Sequence, residues 1–585
     1  MSSSHTDEIT EASLKDRMMN NEPIQFSSPV SLINVKREVG EKVILDASVS
    51  FPRASITAVM GASGSGKTTM LNIIAGRIAA TDGRVCRNCS SLGYVMQRDI
   101  LVETDTVEES LTFVADVQLP HLPRELRRDI VDRVIDELGL GSIRHNLVGK
   151  VAENSRGVSG GEKKRVAIAQ TLISNPDILL LDEPTSGLDS YAASNIVDTL
   201  SNLARSGKTV ICTIHQPSSE LFQKFDHLIL VSCGRVVYSG RPMDSVKYFE
   251  DRGHLCPIYN NPPDFFIKTL MENEHLSGQL SRDWTANELF VDHQTPELPD
   301  DSPPPRPINL LLATHCKRFW RRSLRDPYTA KYRILQNFVI SIIYGTFFWN
   351  LGNDKAGVDA KLGSMFYMVL YQGIIFSFMS AISSFPLEIG SVMREQLTYP
   401  YGLSQYTLSK SIMEFPLSFV CNLLFGTIAN FMIGLNADFS RYVKFITINL
   451  LCAMVGQSWG YMITSTFQTL EVINAVTPIM IPFVIMGGYF TVDVPIGAVW
   501  MYNLSFVRWT FQAMAEVVFE GTILDCPQNV TNCYLTGAEL LDDYRVESGI
   551  FWKSCLVLGS QFVILRVLIA AALWRRKKWC NNVQE

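Results

Sequence analysis

The sequence is poor in charge, since only 19% of its 585 residues are Asp, Glu, Lys or Arg. The first 27 residues are polar and lack the apolar run of a secretory signal, so we expect them to be disordered and cytosolic. No stripe of Lys and Arg marks a nucleic-acid-binding face, so we expect no nucleic-acid partner. The 12 cysteines are scattered, which excludes a small protein built on a disulfide framework.

The C-terminal half contains long stretches without any charge. Five of them carry no charged side chain, and a sixth carries Lys553 at its start and Arg566 in its interior; each approaches the roughly 20 residues that cross a bilayer. The six predicted spans are 334–352, 364–385, 415–435, 445–466, 472–492 and 552–574. Lys and Arg cluster before the first span and after the last, so we expect both chain ends in the cytosol. The sequence therefore predicts a polytopic membrane domain over 334–578 and a cytosolic tail over 579–585.

Under this topology the long loop 493–551 faces outward. It contains the sequon Asn529-Val-Thr531, so we predict N-glycosylation at Asn529. Cys526 and Cys533 flank the sequon, and two cysteines in an exported loop are expected to form a disulfide, within the chain or to a partner.

The N-terminal half has a different pattern. Over 28–271, short apolar runs alternate with amphipathic helical stretches, which predicts an α/β domain with a mainly parallel sheet. A Pro-rich linker over 272–307 and a basic amphipathic helix over 308–333 follow. The predicted architecture is an α/β phosphate-loop domain followed by an all-α membrane domain with six transmembrane helices.

Residues 61–68 read Gly-Ala-Ser-Gly-Ser-Gly-Lys-Thr, the G-x-x-x-x-G-K-[ST] phosphate loop. A strand-like run ends directly before it and a helical pattern follows, which is the context that this motif requires. Lys67 is expected to neutralise the β- and γ-phosphates of ATP, and Thr68 to give its hydroxyl to Mg²⁺. The expected ATP-binding residues are Gly61, Ala62, Ser63, Gly64, Ser65, Gly66, Lys67, Thr68, Thr69 and Asp182.

Candidate catalytic residues follow the apolar runs. Asp182 and Glu183 come directly after a buried run, so Asp182 is expected to hold Mg²⁺ and Glu183 to act as the base that polarises water. Gln97 is predicted to reach Mg²⁺ and the water, and His215 to reach the γ-phosphate. The predicted catalytic set is Glu183, Gln97 and His215, and the predicted Mg²⁺ set is Thr68, Gln97 and Asp182.

These motifs, joined by Val-Ser-Gly-Gly-Glu at 158–162 and Ser-Gly-Leu-Asp at 186–189, resemble the ATP-binding cassette (ABC) transporter family. The resemblance implies that two cassettes pair head to tail, so that one signature loop caps ATP held by the other cassette, with Asp189 at the interface. The signature residues are Ser159, Gly160, Gly161 and Glu162. A chain with one cassette would then be a half-transporter that forms a homodimer or a heterodimer.

The cassette precedes the membrane block, and Gly-Glu-Lys-Lys-Arg at 161–165 and Asn-Pro-Pro-Asp-Phe-Phe at 261–266 resemble subfamily G, the white, sterol and multidrug half-transporters. That resemblance implies ATP-driven export or flopping of lipids, sterols or amphipathic small molecules across the plasma membrane or a vesicle membrane. The alternatives are a multidrug, xenobiotic or pigment-precursor exporter, and an ATP-gated channel or regulator. No aromatic residue stands between Phe26 and Phe51, where many family members stack adenine.

Three aromatic residues are candidates for a substrate cavity. Phe376 matches the substrate-stacking aromatic of multidrug members, and Tyr489 and Phe490 stand where those members place a pair of leucines. Ordinary helix packing or an interfacial aromatic belt is the alternative for each. Segment 394–410 is the expected coupling element between the membrane domain and the cassette.

Overall fold

The computed structural model describes residues 28–584 except 90, 100, 150–156, 258, 288–307, 326, 400, 436–437, 468 and 526–533. These residues form two compact units. One holds the described parts of 1–99 and 159–302, and the other holds those of 100–158 and 303–584. The predicted cassette segment 28–271 therefore contributes to both units.

The first unit is built on two sheets. Its strands are β1 (Val30–Val39), β2 (Lys42–Phe51), β3 (Ile56–Met60), β4 (Asp82–Arg87), β5 (Leu92–Val95), β6 (Ile178–Leu181), β7 (Thr209–Thr213), β8 (His227–Ser232) and β9 (Arg235–Gly240). One sheet has three antiparallel strands in the order β2-β1-β4. The other has six in the order β5-β6-β7-β3-β8-β9, parallel except for the final pair. The predicted α/β fold is confirmed. Strands β3, β6 and β7 are buried throughout because parallel strands are covered on both faces.

Nine α-helices and one 3-10 helix (Gly141–Ile143) are described in residues 28–287. The α-helices are α1 (Lys67–Ile74), α2 (Val107–Gln118), α3 (Arg124–Glu137), α4 (Gly160–Leu172), α5 (Ser190–Arg205), α6 (Ser219–Gln223), α7 (Pro242–Glu250), α8 (Pro262–Glu272) and α9 (Glu274–Asn287). Helices α2 and α3 belong to the second unit. The predicted linker 272–307 begins with α9, and its Pro-rich part lies outside the described residues.

Helices make up nearly all of the rest of the described chain. They are α10 (Ile308–Arg325), α11 (Pro327–Phe347), α12 (Lys355–Val369), a π-helical stretch (Leu370–Phe378), α13 (Met379–Thr398), α14 (Leu403–Ile433), α15 (Phe439–Thr466), α16 (Thr469–Ile485), α17 (Val499–Leu504), α18 (Phe506–Phe519), α19 (Gly537–Asp543) and α20 (Ile550–Gln584). Four helical segments among the described residues are long and apolar enough to cross a membrane: Lys355–Pro386, Leu403–Ile433, Phe439–Thr466 and Ile550–Lys578. They correspond to four of the predicted spans. The spans predicted over 334–352 and 472–492 overlap α11 and α16, and the count of six stays a prediction.

The helix predicted over 308–333 corresponds to α10, which ends at Arg325, and to the start of α11, which begins at Pro327. Residue 326 between them lies outside the described residues. Segment 493–551, which is predicted to face outward, contains α18, in which every residue except Arg508 is buried.

Candidate functional site

The phosphate loop connects the end of β3 to the start of α1. Gly66 has a φ of 99°, and a Cβ there would lie 2.8 Å from the Ile44 carbonyl oxygen, so the position requires glycine. A Cβ on Gly64 would meet no atom within 4 Å, so that side of the loop is open. Lys67 Nζ donates to the carbonyl oxygens of Gly61 (2.9 Å) and Ala62 (2.7 Å) and thus reaches back over the loop.

The residues present fit a nucleotide with a divalent cation. Ser65 Oγ is buried and has no hydrogen-bond partner among the described residues, as expected of a donor that awaits a phosphate oxygen. Burial lowers the pKa of Lys67, while the nearby Glu183 and Asp182 carboxylates raise it. A lysine ammonium group beside a glycine loop that is open on one side is suited to an anionic ligand. Ser63 and Thr68 are exposed beside it, and Ala62 and Thr69 are half-buried.

Two of the residues predicted to hold Mg²⁺ come together. Asp182 Oδ1 accepts from Thr68 Oγ1 at 3.2 Å and from Thr213 Oγ1 at 2.7 Å. Carboxylate and hydroxyl oxygens are hard donors of the kind that Mg²⁺ prefers. The third predicted residue, Gln97, reaches a different partner.

Gln97 and Glu183 form a direct hydrogen bond in which Gln97 Nε2 donates to Glu183 Oε2 at 2.7 Å. Glu183 has a left-handed backbone with a φ of 46°, and its N–H donates to Thr213 Oγ1 at 2.8 Å. His215 follows the end of β7 by two residues and is exposed. The predicted base and the predicted glutamine thus lie side by side in the first unit.

The signature residues form the start of α4. Ser159 Oγ accepts from the Glu162 N–H at 3.3 Å, and the Ser159 N–H donates to Glu162 Oε2 at 2.7 Å, a reciprocal capping box. A Cβ on Gly161 would lie 3.1 Å from Ala192 Cβ, while Gly160 approaches the segment just before α5 in the same way. Asp189 caps α5 by accepting from the Ala192 N–H at 2.8 Å. The signature loop and the Asp189 loop are therefore neighbours, and Ser159 and Asp189 are both exposed.

Sequence reasoning missed two buried side chains at this site. One is Thr213, described above, and the other is Lys164 on α4, which is 3% exposed. Lys164 Nζ donates to the carbonyl oxygens of Met96 (3.3 Å) and Gln97 (3.0 Å) and pairs with Asp99 at 2.8 Å. The sequence did contain a signal for Lys164, because the lysine falls on the apolar face of a predicted amphipathic helix. A lysine in that position is buried and needs acceptors for its hydrogen bonds.

The candidate substrate residues fall into two places in the second unit. Tyr489 stacks on Phe366 with ring centroids 5.1 Å apart, and Phe490 meets the same ring at 5.2 Å. Phe490 is 69% exposed, whereas Phe376 is 7% exposed and stacks on Tyr371 at 6.2 Å. The structure thus brings Tyr489 and Phe490 together on one aromatic cluster.

A buried ion network joins the cassette insert, meaning the described part of residues 101–158, to the predicted coupling segment 394–410, within the second unit. Arg318 on α10 donates through Nε to Asp105 at 3.1 Å and through Nη2 to Glu395 at 2.8 Å. Asp105 is 2% exposed and Glu395 is 3% exposed. The Arg318 guanidinium also lies over the Phe113 ring of α2, 3.9 Å from its centroid.

The predicted disulfide between Cys526 and Cys533 and the predicted glycosylation at Asn529 fall outside the described residues.

Comparisons with known proteins give one consistent result. A family profile described as "ABC transporter" matches residues 44–186, and two described as "ABC-2 type transporter" match 215–293 and 311–519. Protein white of Drosophila melanogaster is 32% identical over 574 residues, which cover 91% of this chain and 82% of that protein. ABC transporter G family member 7 of Arabidopsis thaliana is 31% identical, covering 80% and 70%, and Protein scarlet of Drosophila melanogaster is 29% identical, covering 92% and 87%. The chain therefore belongs to the ABC transporter family, alongside the white and G family members, as an integral membrane protein that couples ATP hydrolysis to transport.

Proposed function

We propose that the chain is a half-transporter that works as a dimer and exports or flops lipids, sterols or amphipathic small molecules. The observation that carries the proposal is the assembly of Lys67, Asp182, Glu183 and Gln97 into one site, in a chain whose second unit is built from apolar helices. Ser159 is exposed at the start of α4, as expected if the signature loop serves the nucleotide of a second cassette.

Bound MgATP would supply the phosphoanhydride bond whose hydrolysis drives the transport cycle. Glu183 is the group that takes a proton from water at a carboxylate oxygen, and Gln97 Nε2 orients that carboxylate. Lys67 Nζ is held by two loop carbonyls and leaves them for an anionic ligand. His215, exposed beyond β7, is the remaining side chain proposed at the γ-phosphate.

The partner is a second copy of this chain or another G-type half-transporter, since the phosphate-binding and signature residues are both present here. The lipid-type substrate is supported by the apolar character of the membrane helices and by the exposed aromatic ring of Phe490 beside Tyr489. We place the protein in the plasma membrane or a vesicle membrane with both chain ends in the cytosol, following the distribution of Lys and Arg.

The test is the ATPase rate of the purified protein in lipid vesicles, with sterols, phospholipids and aromatic drugs added one at a time. Glu183→Gln is expected to lower turnover by at least roughly a hundredfold because the base is lost. Glu272→Gln, the same change at a carboxylate that is 64% exposed, is the matched control and is expected to behave as wild type.

A compound that stimulates the wild type and not Glu183→Gln identifies the substrate class. Equal turnover in both would remove Glu183 from the role of base. A wild type that stays silent alone but hydrolyses ATP when co-purified with another half-transporter would replace the homodimer by a heterodimer.

A further inference from the structure

We infer that Thr213 is a positioning residue for ATP hydrolysis, whose single hydroxyl orients Asp182 and Glu183 together. The inference rests on the roles proposed above for these two acidic residues. Thr213 touches neither nucleotide nor water in this proposal and acts only through its two neighbours.

Strand register places the hydroxyl between them. Strands β6 and β7 run parallel with Leu181 opposite Cys212, so the next residues along each strand, Asp182 and Thr213, lie side by side. Thr213 is fully buried. Its Oγ1 is 2.8 Å from the Glu183 backbone nitrogen and 2.7 Å from Asp182 Oδ1.

The direction of both hydrogen bonds is determined by chemistry. A threonine hydroxyl has one hydrogen and two lone pairs. The Glu183 N–H can only donate, so it takes a lone pair of Thr213 Oγ1. The one hydroxyl hydrogen then goes to the Asp182 carboxylate, which also accepts from Thr68 Oγ1 at 3.2 Å.

The backbone of Glu183 makes this support necessary. Its φ of 46° lies in the left-handed region, which a side-chain-bearing residue adopts only when its surroundings hold it there. The bond from its N–H to Thr213 is such a constraint, and in this conformation the carboxylate meets Gln97 Nε2 at 2.7 Å. Removing the hydroxyl therefore frees the Glu183 side chain to point elsewhere. It also leaves Asp182 with one hydroxyl donor, Thr68, instead of two.

The experiment compares Thr213→Val, which keeps the shape and removes the hydroxyl, with Thr213→Ser, which keeps the hydroxyl. The matched control is Thr57→Val on the neighbouring strand β3, because Thr57 is also fully buried and its hydroxyl has no hydrogen-bond partner among the described residues. Each full-length protein is purified in lipid vesicles. The readouts are kcat and KM for ATP, the thermal midpoint, and the affinity for Mn²⁺ in the presence of ATP by electron paramagnetic resonance in a Glu183→Gln background.

We expect Thr213→Val to lower kcat by roughly tenfold to a hundredfold with a smaller change in KM, since misplacing a reacting group affects the chemical step most. Its Mn²⁺ affinity is expected to fall severalfold because Asp182 loses an orienting donor. Thr213→Ser is expected to restore both values to within about threefold of wild type, and Thr57→Val to leave them unchanged.

A Thr213→Val protein that keeps wild-type kcat and Mn²⁺ affinity, or that changes only in thermal midpoint, overturns the inference while the proposed function stands. Thr213→Ser behaving like Thr213→Val overturns it too, because the hydroxyl is then not the cause. If Thr213→Val does not fold, the test rests on Thr213→Ser. Reduced Mn²⁺ affinity in Thr213→Ser then overturns the inference, whereas wild-type Mn²⁺ affinity and kcat support it. Full turnover in Glu183→Gln would instead remove Glu183 from its proposed role as the base, whatever the Thr213 variants show.

Discussion

At the scale of single residues, two glycines of the phosphate loop share a backbone conformation but differ in their surroundings. Gly64 and Gly66 both have positive φ values, 77° and 99°. A Cβ on Gly66 would press on the Ile44 carbonyl oxygen at 2.8 Å, whereas one on Gly64 would enter open space. The pair therefore separates the cost of an unusual backbone from the cost of a steric clash.

We predict that Gly66→Ala lowers the free energy of unfolding by about 2–4 kcal/mol, because a left-handed alanine and an overpacked backbone contact both cost energy. Gly64→Ala is expected to cost only about 1 kcal/mol, the conformational part alone. Thermal unfolding of the purified protein without nucleotide measures both. Equal midpoints for the two variants would show that the Ile44 contact contributes nothing.

The phosphate loop and the Asp-Glu pair could be predicted from the sequence because their residues are adjacent in the chain and their chemistry is local. Thr213 could not, since its role depends on a strand register that brings it beside Asp182, 31 positions away. The contact between Gln97 and Glu183 spans 86 positions and was predicted only as a shared reach toward water and Mg²⁺.

At the scale of secondary-structure elements, α4 connects two parts of the site. Its N-terminus carries the signature residues, of which Ser159 and Gly160 are exposed. Lys164, one turn later, donates to the backbone around Gln97. A displacement of α4 would therefore shift the backbone at Gln97, whose side chain donates to Glu183.

We predict that Lys164→Met lowers kcat for ATP by roughly fivefold to fiftyfold, because Gln97 loses its anchor and a misplaced catalytic group slows the chemical step. Lys268→Met, at a lysine that is 74% exposed, is the control with the same change and is expected to match wild type. The measurement is ATPase turnover in vesicles, and kcat values that agree for the two variants would remove Lys164 from the site.

Elements were predictable where a strong periodicity had no competing signal. The four apolar residues in a row at 178–181 predict a buried parallel strand, and β6 spans Ile178–Leu181. The bounds of helix α18 were not predicted, because 493–551 was interpreted as a loop between two predicted spans.

At the scale of the whole molecule, the network around Arg318 ties three separate segments of the second unit together. It joins Asp105 of the cassette insert, α10 and Glu395 of α13. Burial raises the pKa of Asp105, and the positive charge of Arg318 opposes that rise. The guanidinium thus offsets the cost of two carboxylates that are almost fully buried.

We predict that Arg318→Met destabilises the protein by about 3–5 kcal/mol, because it leaves buried charges without a partner. Adding Asp105→Asn and Glu395→Gln is expected to recover part of that loss, since neutral amides tolerate burial better. Arg545→Met, which breaks an exposed ion pair with Asp493, is the control and is expected to cost at most about 1 kcal/mol. The measurement is the midpoint of thermal unfolding of each variant. A fall in the midpoint of Arg318→Met that is no larger than the fall in Arg545→Met would contradict the prediction.

The cassette insert, the described part of residues 101–158, belongs to a different compact unit from the strands that flank it in the chain. A chimaera that exchanges residues 28–271 with a relative as one block would therefore separate Asp105 and Phe113 from the native Arg318 against which they pack. Exchange of the cassette without the insert would keep that packing but require two extra crossovers within the gene. We expect recombination between such genes to be tolerated only when the insert and α10 come from the same parent. For that reason we expect the sequence of the insert to covary with the sequence of α10.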